Sequence, residues 1–134
     1  MTHLDLKWIK EIIFTEEAPA PVGAYSQATA AGPLVFCSGM LGLDPETGKF
    51  TGDGIREQTV QAMENLAAVL EASGSSLDLV MKTTVYLKDI SHFKAFNEVY
   101  SGYFEDEPPA RAAFQVAELP LGALVEIEAV AIRD

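Results

Sequence analysis

Apolar residues recur along the chain with two different periods, which separate predicted helices from predicted strands. Between residues 55 and 70 they recur every three or four positions with polar residues between them, which predicts an amphipathic helix ending near Ser73-Gly74. A second stripe with this spacing predicts another helix after position 91, and its members are Phe93, Phe96, Tyr100 and Tyr103.

The other apolar segments are short and rich in β-branched residues, as expected of strands. They are residues 10–15, 25–30, 34–40, 80–87, 110–117 and 123–132. Three strands, a helix, a strand, a helix and two strands make an order typical of the α+β class. We therefore predict a mixed sheet of about six strands with two helices packed on one face.

Length and composition suit one domain spanning residues 1–134. The chain has 134 residues, of which 49% are hydrophobic, enough for a single core. No apolar run approaches the roughly 20 residues of a membrane-spanning helix. The first ten residues alternate charged with apolar side chains and do not resemble a signal peptide. We therefore expect a cytoplasmic protein.

Cysteine and histidine usage argues against disulfide and metal chemistry. Cys37 is the only cysteine and lies in an apolar run, which favours a buried thiol over a nucleophile. The two histidines, His3 and His92, are far apart and lack partners at ligand spacing. We expect no metal site.

The charge balance constrains the partners of the protein. A formal net charge of -11 would repel a nucleic-acid backbone, whose binding depends on lysine and arginine neutralising phosphates. A small anion could still bind where a cation is placed locally. We therefore expect a small molecule and not nucleic acid as the partner.

One cation stands in an unusual setting. Arg111 lies between Pro-Pro-Ala and Ala-Ala-Phe, where a strand is predicted, and these neighbours suggest partial burial. A buried guanidinium needs an anionic partner. The sequence therefore raises the question of which anion Arg111 binds.

Strand alternation suggests an answer. Side chains of successive residues point to opposite faces of a sheet. Arg111 and Phe114 therefore point to different faces, and Glu126 and Glu128 point to the face opposite that of Ile127. If the bulkier apolar side chains of each strand pack against the helices, Arg111 and both glutamates lie together on the other face of the sheet. One interpretation is a salt bridge at a subunit interface. The other is an arginine that binds a ligand carboxylate beside a glutamate that handles protons.

Several stretches together make the chain resemble the RidA family, also called YjgF/YER057c/UK114. They are APAPVGAYSQA at 18–28, Ser38-Gly39, Gln58 with MENL at 63–66, KTTVYL at 82–87, Phe96-Asn97 with Val99-Tyr100, Pro109-Ala-Arg111 and VEIEA at 125–129. Each stretch is weak alone, but their order and spacing cover nearly the whole chain.

The resemblance implies a fold, an assembly and an activity. The fold is like that of chorismate mutase of the Bacillus type, and the assembly is a homotrimer with intersubunit sites. The activity is hydrolysis of reactive 2-imino acids and their enamine tautomers, such as 2-iminobutanoate and 2-iminopropanoate, to 2-oxo acids and ammonia. Such an enamine/imine deaminase acts on a carbon-nitrogen bond and needs no metal or redox cofactor.

The resemblance also assigns roles to individual residues. Arg111 resembles the arginine that holds the substrate carboxylate, and Glu126 resembles the glutamate that positions and activates water. The remaining matches are substrate-binding positions: Tyr25, Ser38, Gly39 and Asn97. Without the resemblance, Tyr25, Ser38 and Asn97 could equally be packing residues or polar groups satisfied by the backbone. Gly39 would be explained by close backbone approach, and Glu128 by a structural role.

Three positions depart from the family pattern and affect the expected specificity. Many members have a cysteine where this chain has Ala113, so cysteine chemistry is not part of the expected mechanism. Ala24 replaces the usual proline before the tyrosine, and Met40 replaces the glutamine of Ser-Gly-Gln. The arginine and glutamate are retained.

Other functions compete with this one. A pericyclic catalyst on the same fold would want several cations around a dicarboxylate, and only one well-placed arginine is evident. A non-catalytic trimer that binds a small carboxylate or a partner protein would gain nothing from Glu126 near the ligand, because like charges repel. RNA cleavage, attached to some relatives, is disfavoured by the acidic charge.

Overall fold

The computed structural model describes residues 8–134, which form six strands and two α-helices besides short 3-10 turns. The elements are β1 Glu11–Ile13, β2 Ala28–Ala31, β3 Leu34–Met40, α1 Ile55–Ala72, β4 Val80–Leu87, α2 Phe93–Ser101, β5 Ala110–Gln115 and β6 Val125–Ile132. The predicted element order and the α+β class are confirmed. Strands β1, β2, β5 and β6 are shorter than predicted.

The six strands form one mixed sheet in the order β1-β2-β3-β6-β4-β5. Only the β4–β5 pair is parallel, and the other neighbours are antiparallel. The C-terminal strand β6 therefore lies inside the sheet between β3 and β4. β5 is an edge strand.

Both helices cover one face of the sheet, as predicted. In β6, Val125 and Ile127 are fully buried, whereas the alternate residues Glu126 and Glu128 are only half-buried. α1 contributes fully buried methionine, leucine and valine side chains to the same core, and α2 contributes Phe96. The periodic stripes of both helices are thus core.

The face of the sheet opposite the helices is called the open face here. The strand residues on it include Ile12, Phe36, Val130, Glu128, Glu126, Tyr86 and Phe114. Ile12 and Phe36 are 58% and 48% exposed, and both lie in one cross-strand row with Thr29 and Val130. This face therefore combines exposed apolar side chains with two carboxylates.

Strand pairing places Arg111 on the helix-covered face, so the prediction that it shares a face with Glu126 and Glu128 is wrong. Arg111 pairs with Thr83, which is buried and pairs in turn with Ala129. Directly paired residues point to the same side of a sheet. Arg111 is also exposed in the single chain, not partly buried as expected.

The cause is the position of β5 at the edge of the sheet. Its bulky residue Phe114 packs on the open face edge-on against Tyr86, with ring centroids 5.5 Å apart. Its polar residue Arg111 lies instead against the aromatic rings of α2. The assumption that the bulkier apolar side chains of a strand pack against the helices is therefore wrong for β5.

Three further predictions concern a membrane-spanning helix, the single cysteine and the histidines. Within residues 8–134, no helix is both long enough and apolar enough to cross a membrane. Cys37 is buried, as predicted, and burial raises the pKa of its thiol to about 12, which disfavours the reactive thiolate. His3 lies outside the described residues.

Candidate functional site

A pocket of about 820 Å³ lies beside β3 and β6 at the open face. Four of the six predicted site residues line it: Tyr25, Ser38, Gly39 and Glu126. Glu128 lines it as well, together with residues of loops 41–48 and 120–121. The pocket therefore brings both carboxylates of β6 to one cavity.

A β-bulge shapes the floor of this pocket. Cys37 pairs with Ala129 and Met40 pairs with Ile127, so Ser38 and Gly39 together oppose the single residue Glu128. Bulges of this kind redirect side chains and are frequent beside active sites. The extra residue is accommodated where β3 faces the carboxylates.

Gly39 is required by close approach, but the approaching group is a side chain. A Cβ atom at this position would lie 2.7 Å from Cδ and 2.8 Å from Oε2 of Glu126. Separations below 3 Å are well inside van der Waals contact. The predicted need for close approach is therefore explained by the Glu126 carboxylate packing over the glycine, not by a neighbouring backbone.

Ser38 is held by the segment that precedes β2. Its hydroxyl donates to the carbonyl oxygen of Ser26 at 2.6 Å, and its backbone N–H donates to the carbonyl oxygen of Gln27 at 2.9 Å. The structure therefore confirms the interpretation that this hydroxyl is satisfied by the backbone. The oxygen of Ser38 retains lone pairs that can accept a hydrogen bond from a ligand.

Tyr25 borders the pocket with half of its surface exposed. Its hydroxyl oxygen accepts a long hydrogen bond of 3.4 Å from the backbone N–H of Val22. This contact leaves the phenol proton available to a ligand.

The two carboxylates of the pocket differ in their surroundings. Burial, and after it the negative charge of Glu128, raise the pKa of the Glu126 carboxyl. Glu128 accepts a hydrogen bond from the hydroxyl of Tyr86. A raised pKa makes the Glu126 carboxylate a stronger base than an ordinary glutamate, which favours a role as general acid and base.

The other two predicted residues, Arg111 and Asn97, contact each other on the helix-covered side. Arg111 Nη1 donates to Asn97 Oδ1 at 2.6 Å, and the guanidinium carbon lies 5.2 Å from the Phe93 ring centroid and 5.0 Å from that of Tyr100. These aromatic faces orient the guanidinium by cation–π contact. Its remaining N–H groups can still donate to an anion.

Arg111 forms no ion pair with a carboxylate among residues 8–134. The ion pairs found there join Arg56 to Glu98 and Arg133 to Glu11. The predicted alternative, a salt bridge from Arg111 to Glu126 or Glu128, is therefore absent within one chain.

The pocket of one chain is acidic, and residues 8–134 supply no cation to it. Of these residues, the ones that line the pocket include Glu46, Glu126 and Glu128 but no lysine, arginine or histidine. A carboxylate ligand would be repelled by such a set unless a cation were added. The predicted site residues thus form two incomplete groups, one on each face of the sheet.

Three residues that shape these groups were not predicted. Gln27 is buried, and its side-chain amide binds the backbone of Thr15 and Pro19, which fixes the segment bordering the pocket. Tyr86 holds Glu128, and Phe93 supports Arg111. The sequence signal for Gln27 was the glutamine in AYSQA, and the signal for Phe93 was the aromatic stripe of α2.

Comparison with protein families gives one match over most of the chain. The model of the family described as Endoribonuclease L-PSP matches residues 15–133. Among curated proteins, RutC family protein PH0854 of Pyrococcus horikoshii is 50% identical, covering 94% of this chain and all of its own. The 2-iminobutanoate/2-iminopropanoate deaminase of Rattus norvegicus is 46% identical, covering 93% of this chain and 91% of its own.

Solved structures agree with the sequence matches. RidA from the Antarctic bacterium Psychrobacter sp. PAMC 21119 is 47% identical with a TM-score of 0.88, covering 91% of this chain and 98% of its own. E. coli TdcF with bound serine is 37% identical with a TM-score of 0.88, covering 92% of this chain and 99% of its own. The similarity therefore includes the strands and loops that build the pocket.

Proposed function

This chain belongs to the RidA family, the family of the Endoribonuclease L-PSP model, and on that basis we propose that it is a 2-imino acid deaminase. Its substrates are reactive 2-imino acids and their enamine tautomers, and its products are 2-oxo acids and ammonia. The observation that carries the proposal is the half-buried carboxyl of Glu126, whose pKa is raised at a pocket to which residues 8–134 contribute no cation.

The substrate explains why a cation and a proton-handling carboxyl are both needed. A 2-imino acid has a carboxylate beside an electrophilic carbon-nitrogen double bond. We assign Arg111 to bind that carboxylate through two parallel N–H groups, with Asn97 and the aromatic rings of α2 holding the guanidinium. Tyr25, Ser38 and Gly39 contribute to the wall around the reacting carbon.

The proposed chemistry uses one residue for two proton transfers. Ionised Glu126 removes a proton from a water molecule while the water oxygen attacks the carbon of the protonated imine. The product of this step is a carbinolamine. Protonated Glu126 then returns the proton to the nitrogen, the carbon-nitrogen bond breaks, and ammonia leaves. The hydroxyl of the intermediate gives its proton to the departing ammonia, so that the 2-oxo acid and ammonium are the products. A shared acid and base of this kind contributes about 10² to 10⁴ in rate.

A complete site requires a second subunit. Arg111 and Glu126 lie on opposite faces of the sheet of one chain, so both reach one substrate only if the arginine comes from a neighbour. Packing open faces around a three-fold axis would also cover the exposed side chains of Ile12 and Phe36. We therefore propose a homotrimer with one site at each subunit boundary.

The activity is tested by generating 2-iminobutanoate in place. A threonine dehydratase releases the imine, and semicarbazide trapping measures its decay with and without this protein. Faster decay, absent in the Glu126→Gln variant, supports the proposal. Decay at the spontaneous rate would leave the alternative of a non-catalytic trimer that binds a small carboxylate, and titration calorimetry with a 2-oxo acid would then detect that binding.

The shared site is tested by mixing two inactive variants. Arg111→Ala and Glu126→Gln subunits are unfolded together in equal amounts and refolded, so that mixed trimers form. If each site takes Arg111 from one chain and Glu126 from the next, about one quarter of the boundaries regain both groups. No recovery in mixed trimers of confirmed mass would show that each site is built within one chain.

The cytoplasmic location remains a prediction, which microscopy of a fluorescently tagged chain in its own cells would check.

A further inference from the structure

Glu128 and Tyr86 form a hydrogen-bonded pair that the proposed mechanism does not use. Tyr86 lies on β4 directly opposite Glu126, and its hydroxyl reaches diagonally to the carboxylate of Glu128 on the same face. Glu128 lines the pocket together with Glu126. Among residues 8–134, no donor forms a hydrogen bond with the Glu126 carboxyl. The two carboxylates therefore share a cavity but only one has a proton donor attached.

The groups that face this pair come from several elements. β6 contributes both glutamates, and β4 contributes Tyr86 and, farther along the same face, Lys82. β3 contributes the uncharged Ser38, Gly39 and Met40, while the loops contribute Tyr25 and Glu46. In the proposed trimer, Arg111 of the neighbouring subunit is added to these groups.

We propose that Tyr86 and Glu128 are positioning residues for Glu126, the carboxyl of the pocket that carries the proton. The hydrogen bond from Tyr86 holds Glu128 beside Glu126, and the charge of Glu128 favours the protonated form of Glu126.

Elementary electrostatics supports this division. Two neighbouring carboxylates do not ionise independently, because the negative charge of one disfavours the charge of the other. Burial and the charge of Glu128 raise the pKa of Glu126. The bond to Glu128, with burial, raises the pKa of Tyr86 to about 12, so the phenol remains a donor throughout the neutral range.

The inference rests on the proposed function for its purpose, but it can be tested without activity. Carbon-13 NMR of protein labelled at the glutamate carboxyl carbon follows each titration, and Glu126→Gln and Glu128→Gln identify the two signals by their loss. In the unaltered protein we expect the Glu126 carboxyl to titrate above the usual range of a glutamate. In Glu128→Gln, we expect the Glu126 titration to move to lower pH.

The hydrogen bond itself is tested by Tyr86→Phe. Without the phenol, the Glu126 titration should move to lower pH, because Glu128 is no longer held beside it and its negative charge acts less strongly on Glu126. The chain offers a matched control: Tyr103 donates to Glu64 at 2.9 Å on the helix surface, away from the pocket. Tyr103→Phe removes the same kind of bond and should leave the Glu126 titration unchanged.

The kinetic consequence is a shift of the pH profile. The acidic limb of kcat/KM, corrected for spontaneous imine decay, should move to lower pH in Glu128→Gln and, by less, in Tyr86→Phe. A purely structural pair would lower the rate without moving the limb.

The outcomes distinguish this inference from the proposed function. An unchanged Glu126 titration in folded Glu128→Gln would overturn the inference, whatever the activity. Absence of deamination in the unaltered protein would overturn the proposed function, while the NMR titrations would still decide the inference. If Glu128→Gln does not fold, a Glu126 titration at lower pH in Tyr86→Phe supports the inference, and an unchanged Glu126 titration in that variant overturns it.

Discussion

Replacing Gly39 with alanine should disable the proposed catalytic carboxyl while leaving the fold intact. The added methyl group would lie 2.7 Å from Cδ and 2.8 Å from Cγ of Glu126. Carbon atoms in contact normally stay about 3.5–4.0 Å apart, so one group must move by about 1 Å. Glu126 is half-buried and Gly39 is fixed in the β-bulge, so the carboxyl is the group that moves.

The size of the effect follows from that displacement. A misplacement of about 1 Å in a reacting group can cost about 10² in rate. Gly39 does not occupy the left-handed backbone region, so alanine adds no backbone strain. Crowding of this kind typically costs about 1–3 kcal/mol of folding free energy. We therefore expect kcat/KM to fall by about two orders of magnitude with a modest change in Tm.

The assay is imine decay, with circular dichroism to follow unfolding. Gly102→Ala is the matched control, because its Cβ would meet only Val99 O at 3.4 Å and its backbone is already helical. In a Glu126→Gln background, Gly39→Ala should cause little further loss of kcat/KM, since the alanine acts by displacing the Glu126 carboxyl, which that variant already lacks. Full activity in Gly39→Ala, or an equal loss in both backgrounds, would refute the reasoning.

Three other predictions concern the assigned roles and the assembly. Arg111→Lys should be nearly as damaging as Arg111→Ala in the imine assay, because a lysine cannot present two parallel donors or lie flat against the rings of α2. Wild-type turnover in the lysine variant would contradict the carboxylate role. Glu126→Gln should lose about 10² to 10⁴ in rate yet still bind a 2-oxo acid in calorimetry, and unchanged deamination would make Glu126 structural. Light scattering at micromolar concentration should give about three times the chain mass, and a stable, active monomer would exclude the shared site.

The periodic elements were the part of the fold that the sequence could predict. β4 occupies residues 80–87 as predicted, and α1 begins at Ile55. The alternation in β6 was also assigned to the correct faces, because a strand inside the sheet buries one face against the helices. In such a strand the hydrophobic pattern and the orientation have the same cause.

The face of Arg111 could not be predicted in this way. β5 is an edge strand, and its orientation is decided by pairing with β4 and by the rings of Phe93 and Tyr100. Attraction of a guanidinium to aromatic rings leaves no mark in a pattern of hydrophobic residues. The pocket positions Tyr25, Ser38 and Gly39 came from the resemblance, since their proximity to Glu126 depends on a bulge and on loops whose geometry has no periodic signal.

The placement of Arg111 and Glu126 on opposite faces of one sheet has a thermodynamic consequence. If a ligand is bound only where two chains meet, ligand binding and subunit association are linked equilibria. A 2-oxo acid would then shift trimer dissociation to lower protein concentration, and dilution would weaken the apparent affinity for the ligand. The protein would lose its function by dilution before any chain unfolds, so its effective stability would depend on its abundance and on the metabolite it binds.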